Sequence, residues 1–225
     1  MRIPTTSSWR SRAAWTNGCG WSKRISTPKG DPTVPRSSVR EELLSAGLET
    51  LHRRGFNATS VQDITDAAGA PKGSFYNHFE SKEALAAEAV RRYREKGRVR
   101  LSILQDAKLP PLRRLRKYFE SLNQAVIEAG FSAGCLLGNF GAELSTQSSL
   151  VRGQVREAFA GWCAAIAVVI AEAQKDGAIS ATFSPKALAE FVVHAWEGAM
   201  VRAKVEKGRA PLDLFLKVTF SKILA

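Results

Sequence analysis

From Ser37 onward, apolar positions recur at three- and four-residue spacing, the signature of helices that each bury one stripe. In the first stretch two adjacent rows, Val39, Leu43, Ala46 and Leu44, Leu48, Leu51, share a face, with Ser37 or Ser38 to cap the start and Gly55 to end it. Thr59 followed three residues later by Gln62 has capping-box spacing and predicts a shorter second helix to about Ala68. Gly69, Ala70 and Pro71 leave room only for a tight turn, and Pro71 suits the first turn of a third helix, Lys72 to about His78. Ser81 then caps a fourth, which runs through Ala84, Leu85, Ala89 and Val90 into the basic stretch Arg91 to Arg100.

Five more helices follow. Pro110 and Pro111 open one through Leu112, Leu115, Phe119, Leu122 and Val126 to Gly130; a short apolar one spans Cys135 to Ser145. A long helix runs from Ser148 or Ser149 through Trp162 and Ile170 to Gly177, another from Ser184 and Pro185 to about Lys207, and the last from Pro211 to Leu224. No period-two alternation appears, so the expected fold class is all-α with about nine helices. The expected organisation is a leader over 1–36, a three-helix helix-turn-helix domain over 37–84 and a larger helical domain over 85–225.

Composition narrows the choices. The chain of 225 residues carries 33 basic and 21 acidic side chains, net +12. Half of that excess lies in the first 36 residues, where Arg2, Arg10, Arg12, Lys23, Arg24, Lys29 and Arg36 face a single acid, Asp31. That segment is dense in Ser, Thr, Pro and Gly and leaves Trp9, Trp15 and Trp21 without aliphatic neighbours, so it reads as a disordered basic leader; a DNA-contacting arm is the alternative. It has no apolar core of the kind a secretory signal needs. No run reaches ~18 uncharged apolar residues, which excludes a multi-pass membrane protein. Cys19, Cys135 and Cys163 are too few and scattered for a disulfide framework or a zinc site, and His52, His78 and His194 lack metal-ligand spacing, so no metal and no cofactor is expected and the reducing cytoplasm is. No nucleophile triad or phosphate loop supports a small helical enzyme.

Chemistry of recognition gathers between Thr59 and Lys82. Val61, Ile64, Ala67 and Ala68, with Phe56, Phe75 and Phe79, form an apolar wedge that leaves Lys72, Ser74, Tyr76, Asn77 and His78 outward on a helix short enough to enter a major groove ~12 Å wide. Lys72 suits a phosphate or guanine, Asn77 an adenine, Ser74 either, and Tyr76 and His78 offer hydrogen bonds with apolar contact. Gly73 allows close backbone approach, while Thr59 and Lys82, at helix starts, suit phosphate. On spacing alone a protein-binding adaptor stays open.

The run TSVQDITDAAGAPKGSFYNHFESKEAL, Thr59 to Leu85, resembles the DNA-binding domain of the TetR family of bacterial repressors, above all in GSFYNHF and SKEAL. With the first helix the likeness covers about 50 residues. It implies a repressor that binds a palindromic operator in double-stranded DNA as a homodimer and responds to an effector through its larger domain. It also implies that the last two helices form a four-helix bundle with a second subunit. Leu188, Phe191, Val192, Ala195, Ala199 and Ala203 are expected to face that bundle, and Leu212, Phe215, Leu216, Phe220, Ile223 and Leu224 make the final helix apolar on more than one side. The segment FSAGCLLGNFGAELS, Phe131 to Ser145, resembles a subgroup that includes the electrophile-sensing repressor of N-ethylmaleimide reductase. That resemblance implies oxidant or carbonyl sensing by Cys135, with Lys204 nearby. A helix start and a cation would both favour its thiolate. A Cys flanked by Gly134, Leu136 and Leu137 equally fits a small buried hydrophobe, and a reversible small-molecule ligand is the other reading; Cys163 is expected to be inert core. A mostly apolar pocket is expected around Phe119, Asn123, Asn139, Phe140, Glu143, Trp162, His194 and Trp196.

Overall fold

Local capping sets where the helices begin. The Ser38 side chain accepts the Glu41 amide and opens α1 (Val39–Arg54), which ends as Gly55 turns to φ 85°. The structure, a computed structural model, describes residues 38–224, so the expectations for the basic leader, including Cys19, fall outside the described residues. Helix α2 (Val61–Ala67) starts one residue later than the Thr59 signal suggests. Ser60 and Asp63 make the capping box, while Thr59 is buried and its hydroxyl donates to the Gly55 carbonyl at 2.7 Å. The third element, Lys72–Asn77, is a 3-10 helix rather than an α-helix. Six residues at ~2.0 Å each still span about 12 Å.

Ser81 caps α3 (Lys82–Leu101), and a short 3-10 segment, Ser102–Gln105, follows. The larger part comprises α4 (Pro111–Glu128), α5 (Leu136–Leu144), α6 (Ser149–Lys175), α7 (Pro185–Glu206) and α8 (Ala210–Val218), with a π-turn over Thr219–Ile223. No strand occurs among the described residues, so the all-α expectation holds. Leu43, Leu51, Phe56, Ile64, Phe75 and Phe79 form the wedge that fixes α1, α2 and the 3-10 helix; Ala67, expected in it, is exposed.

Helix α3 packs on α1 at one face and on α6 at the other, so one rigid rod belongs to both parts of the molecule. The central α6 packs against α3, α4, α5 and α7. Among the described residues it alone is long and apolar enough to cross a membrane by length and composition, a match that the search for uncharged runs passed over.

Candidate nucleic-acid interface and effector site

The 3-10 helix presents its polar face because Phe75 is fully buried beneath it. Tyr76 is 62% exposed and stands edge-on against Phe75, ring centroids 5.3 Å apart. Lys72, Gly73, Asn77 and His78 are exposed, Ser74 is half-buried, and a Cβ on Gly73 would meet nothing within 4 Å. Six of the eight residues expected to touch DNA therefore share one outward surface. Two do not. Thr59 is sealed in the core, and the Lys82 ammonium donates to the carbonyls of Phe56 (2.9 Å) and Thr59 (2.6 Å) while lying 3.9 Å from the Phe56 ring centroid. In this DNA-free structure Lys82 ties the turn before α2 to the start of α3.

Cys135 is the N-cap of α5 and 3% exposed. The helix start expected to favour the thiolate is in place, but burial and a carboxylate outweigh it. Burial pushes its thiol well up, the Glu197 carboxylate adds to that, and the amides of Gly138 and Leu137 only partly oppose it. Lys204 donates to the Ala133 carbonyl at 3.4 Å, and the nearest hydroxyl to Cys135 Sγ is that of Tyr93, at 4.0 Å. Gly134 must be glycine: its φ is 77°, and a Cβ there would press on Met200 Sδ at 3.1 Å.

Residues 43–89 match the family described as bacterial regulatory proteins, tetR family, and residues 111–219 match the tetracyclin repressor-like, C-terminal domain. The chain is 43% identical to the HTH-type transcriptional repressor DhaR of Mycobacterium sp. (strain GP1), over 85% of this chain and 95% of that protein. The chain belongs to the TetR family. It is a TetR-family transcriptional repressor, not an enzyme, and the small-enzyme reading is set aside. It is also similar to the transcriptional regulator AcuR of Cereibacter sphaeroides, 34% identical over 88% of this chain and 90% of that one. With the HTH-type transcriptional repressor NemR of Escherichia coli (strain K12) it shares 26% identity over 78% of this chain and 88% of that one. Two solved structures agree. Regulatory protein TetR from Rhodobacter sphaeroides superposes with TM-score 0.78 at 34% identity, covering 84% of this chain and all (100%) of that one. The reduced form of E. coli NemR gives 0.72 at 27%, covering 83% and 97%.

In this TetR-family chain the residues expected to line a pocket divide. Phe119 and Phe140 are fully buried; Asn123 accepts from Trp196 Nε1 at 2.8 Å, and Trp162 meets Trp196 edge-on at 5.6 Å. Asn139 donates to the Ala133 carbonyl at 3.0 Å, bracing the first turn of α5. His194 is exposed, on the outer face of α7, and leaves the set. Glu143 leaves it too, because its carboxylate faces the helix-turn-helix and accepts the Asn57 amide at 2.8 Å. Cys163 is half-buried rather than sealed in the core. The expected bundle stripe also splits: Leu188, Val192 and Ala203 point inward, while Phe191, Ala195 and Ala199 line an outward groove of about 540 Å³ between α7 and α8.

Sequence reasoning passed over His52. Its Nε2 lies 2.7 Å from the Gly134 carbonyl, a bond that needs the proton on that nitrogen. Burial holds its pKa below the ordinary 6.5, the Gly134 carbonyl pulls it back, and Lys204 adds to the lowering. Between the lowered value and 6.5 the unfolded chain binds the extra proton, so this contribution is complete above 6.5 and is lost as pH falls below it. Thermal melts from pH 8 to 5.5 should show wild type losing stability on the acid side relative to His52→Gln, which keeps a donor but does not titrate. Parallel curves would contradict this.

Proposed function

We propose that this repressor acts in the cytoplasm as a homodimer on a palindromic operator, and that it leaves DNA when a small molecule or an electrophile acts near Cys135. What carries the reading is the exposed surface of Lys72, Gly73, Ser74, Tyr76, Asn77 and His78, held on buried Phe75 and Phe79. The apolar groove between α7 and α8, flanked by exposed Phe191, Leu214 and Val218, supports the second subunit. A two-fold pair would set the reading helices about one DNA turn, ~34 Å, apart. In this reading 37–84 forms the DNA-binding domain and 85–225 the effector and dimer domain, with α3 passing from one into the other.

Contacts made by α5 and the residues just before it support a route from effector to DNA. Three contacts join α5 and its N-terminal lead-in to the end of α1 and the turn that follows it: His52 to the Gly134 carbonyl, Phe56 against Phe140 with centroids 6.4 Å apart, and the Asn57 amide to Glu143. Displacing α5 would carry the reading helix with it, provided the effector binds the two arrangements with different affinity.

Fluorescence anisotropy with DNA from beside the protein's own gene tests the reading. Tyr76→Ala should weaken specific binding by about 1–3 kcal/mol per subunit, roughly 5- to 150-fold for each. Lys72→Ala should reduce the slope of log affinity against log salt by about one per subunit if it meets phosphate. Unchanged specific binding in Tyr76→Ala would remove the assigned surface.

A further inference from the structure

Glu197 on α7 buries both carboxylate oxygens, and the Cys135 thiol is the one side chain set against them as a hydrogen-bond donor. A desolvated carboxylate with no cation beside it is destabilising; burial raises its pKa and the Cys135 thiol only partly opposes that. The position is nevertheless built for it. A Cβ on Gly138 would collide with Glu197 Oε2, so glycine there lets the carboxylate reach the first turn of α5, beside Cys135. Other polar groups around the thiol are committed or poor bases. Tyr93, from α3, has its hydroxyl 4.0 Å from Sγ, and burial pushes that phenol well up. Tyr118 from α4 is raised as well, chiefly by burial. His52, from α1, is engaged with the Gly134 carbonyl, and Lys204 of α7 donates to Ala133. Glu197 is the acceptor left to the sulfur, with no other partner competing for its carboxylate.

We propose that Glu197 is the proton acceptor for Cys135, taking the thiol proton as the sulfur adds to the electron-poor alkene carbon of an α,β-unsaturated carbonyl compound. This rests on the reading of Cys135 as the responsive residue. The sulfur lone pair forms the S–C bond, the alkene π pair moves onto the carbonyl as an enolate, and the S–H proton goes to Glu197. The carboxylic acid then returns a proton to the enolate carbon, so addition across the double bond balances with no oxidant. The arrangement keeps a buried thiol protonated and quiet until an electrophile enters, because no standing thiolate is needed. The adduct forms at the N-cap of α5, next to the Gly134 carbonyl that holds His52.

Two mechanisms predict opposite signs, which makes the test decisive. If Glu197 were only a neighbouring negative charge, removing it would ease thiol ionisation and speed alkylation. As proton acceptor, its removal slows alkylation. Full-length protein is treated with N-ethylmaleimide from pH 6 to 9, and adducts are assigned by peptide mass, with half-buried Cys163 as internal reference. Glu197→Gln should slow Cys135 labelling at least tenfold at neutral pH and leave a rate that rises steadily through pH 9. Glu197→Asp, with its carboxylate one methylene further back, should fall between, and Cys163 should label alike in all three. Equal or faster labelling of Cys135 in Glu197→Gln, with N-ethylmaleimide still releasing DNA, would overturn the assignment alone. No labelling of wild-type Cys135, with DNA still bound, would overturn both the assignment and the reading of Cys135 as sensor.

Discussion

Phe75→Ala should lower the unfolding free energy by about 3–5 kcal/mol and abolish specific DNA binding with it. Phe75 is fully buried and touches the rings of Tyr76 at 5.3 Å and Phe79 at 5.6 Å. The element it anchors is two turns of 3-10 helix, whose hydrogen-bond geometry is poorer than that of an α-helix and which starts at Pro71 without a side-chain cap. Such a segment has little intrinsic stability, so its direction comes from the side chain beneath it. Truncation leaves a cavity under the reading face and frees that face to reorient. Paired measurements separate anchor from reader. Tyr76→Ala should melt close to wild type, because the ring is mostly exposed, and should lose affinity only. Phe75→Ala should lose both. A Phe75→Ala protein that melts low but binds DNA normally would show that the reading surface is oriented by something else.

This division of labour was largely legible in the order of residues. Apolar spacing, Ser at helix starts and Pro in first turns place α1 and α3 to α8 within a few residues, because those signals act over one or two turns. The Thr59 error has a physical cause: Thr59/Gln62 and Ser60/Asp63 both satisfy the capping spacing, and the choice between them is made by burial of Thr59 against Gly55, a tertiary event. The carbonyl contacts of Lys82 are illegible for the same reason, since nothing local announces that its ammonium will find two carbonyls about 25 residues earlier. Glu143 and His194 read as pocket residues in the sequence because a polar side chain in an apolar helix looks the same whether it faces a cavity, a neighbouring domain or solvent. Glu197 carried no local signal at all. Its position is defined by three elements meeting, α7 bringing the carboxylate, α5 the Gly138 that admits it, and α3 the Tyr93 opposite.

Leu214→Asp should convert the proposed dimer to a monomer and reduce affinity for the proposed two-fold operator to that for one half-site. Leu214 is 61% exposed on the rim of the groove that Ala195, Gly198 and Ala199 floor, and Phe191, 51% exposed, flanks it on α7. In a two-fold interface every substitution occurs twice, so two carboxylates would be desolvated without a partner. At about 3 kcal/mol each the loss is roughly 6 kcal/mol, on the order of 10⁴-fold in association. The subunit itself should survive, since the α8 side chains its own core relies on are the buried Leu212 and Phe215, not the exposed Leu214. Light scattering across a concentration series reads the oligomer, and anisotropy on full and half operators reads the DNA. Leu214→Ala supplies the contrast, because it trims area without burying charge and should leave a weakened dimer. If Leu214→Asp stays dimeric and binds the full site as wild type does, the two reading helices are paired through another face, and the groove between α7 and α8 faces something other than a second copy.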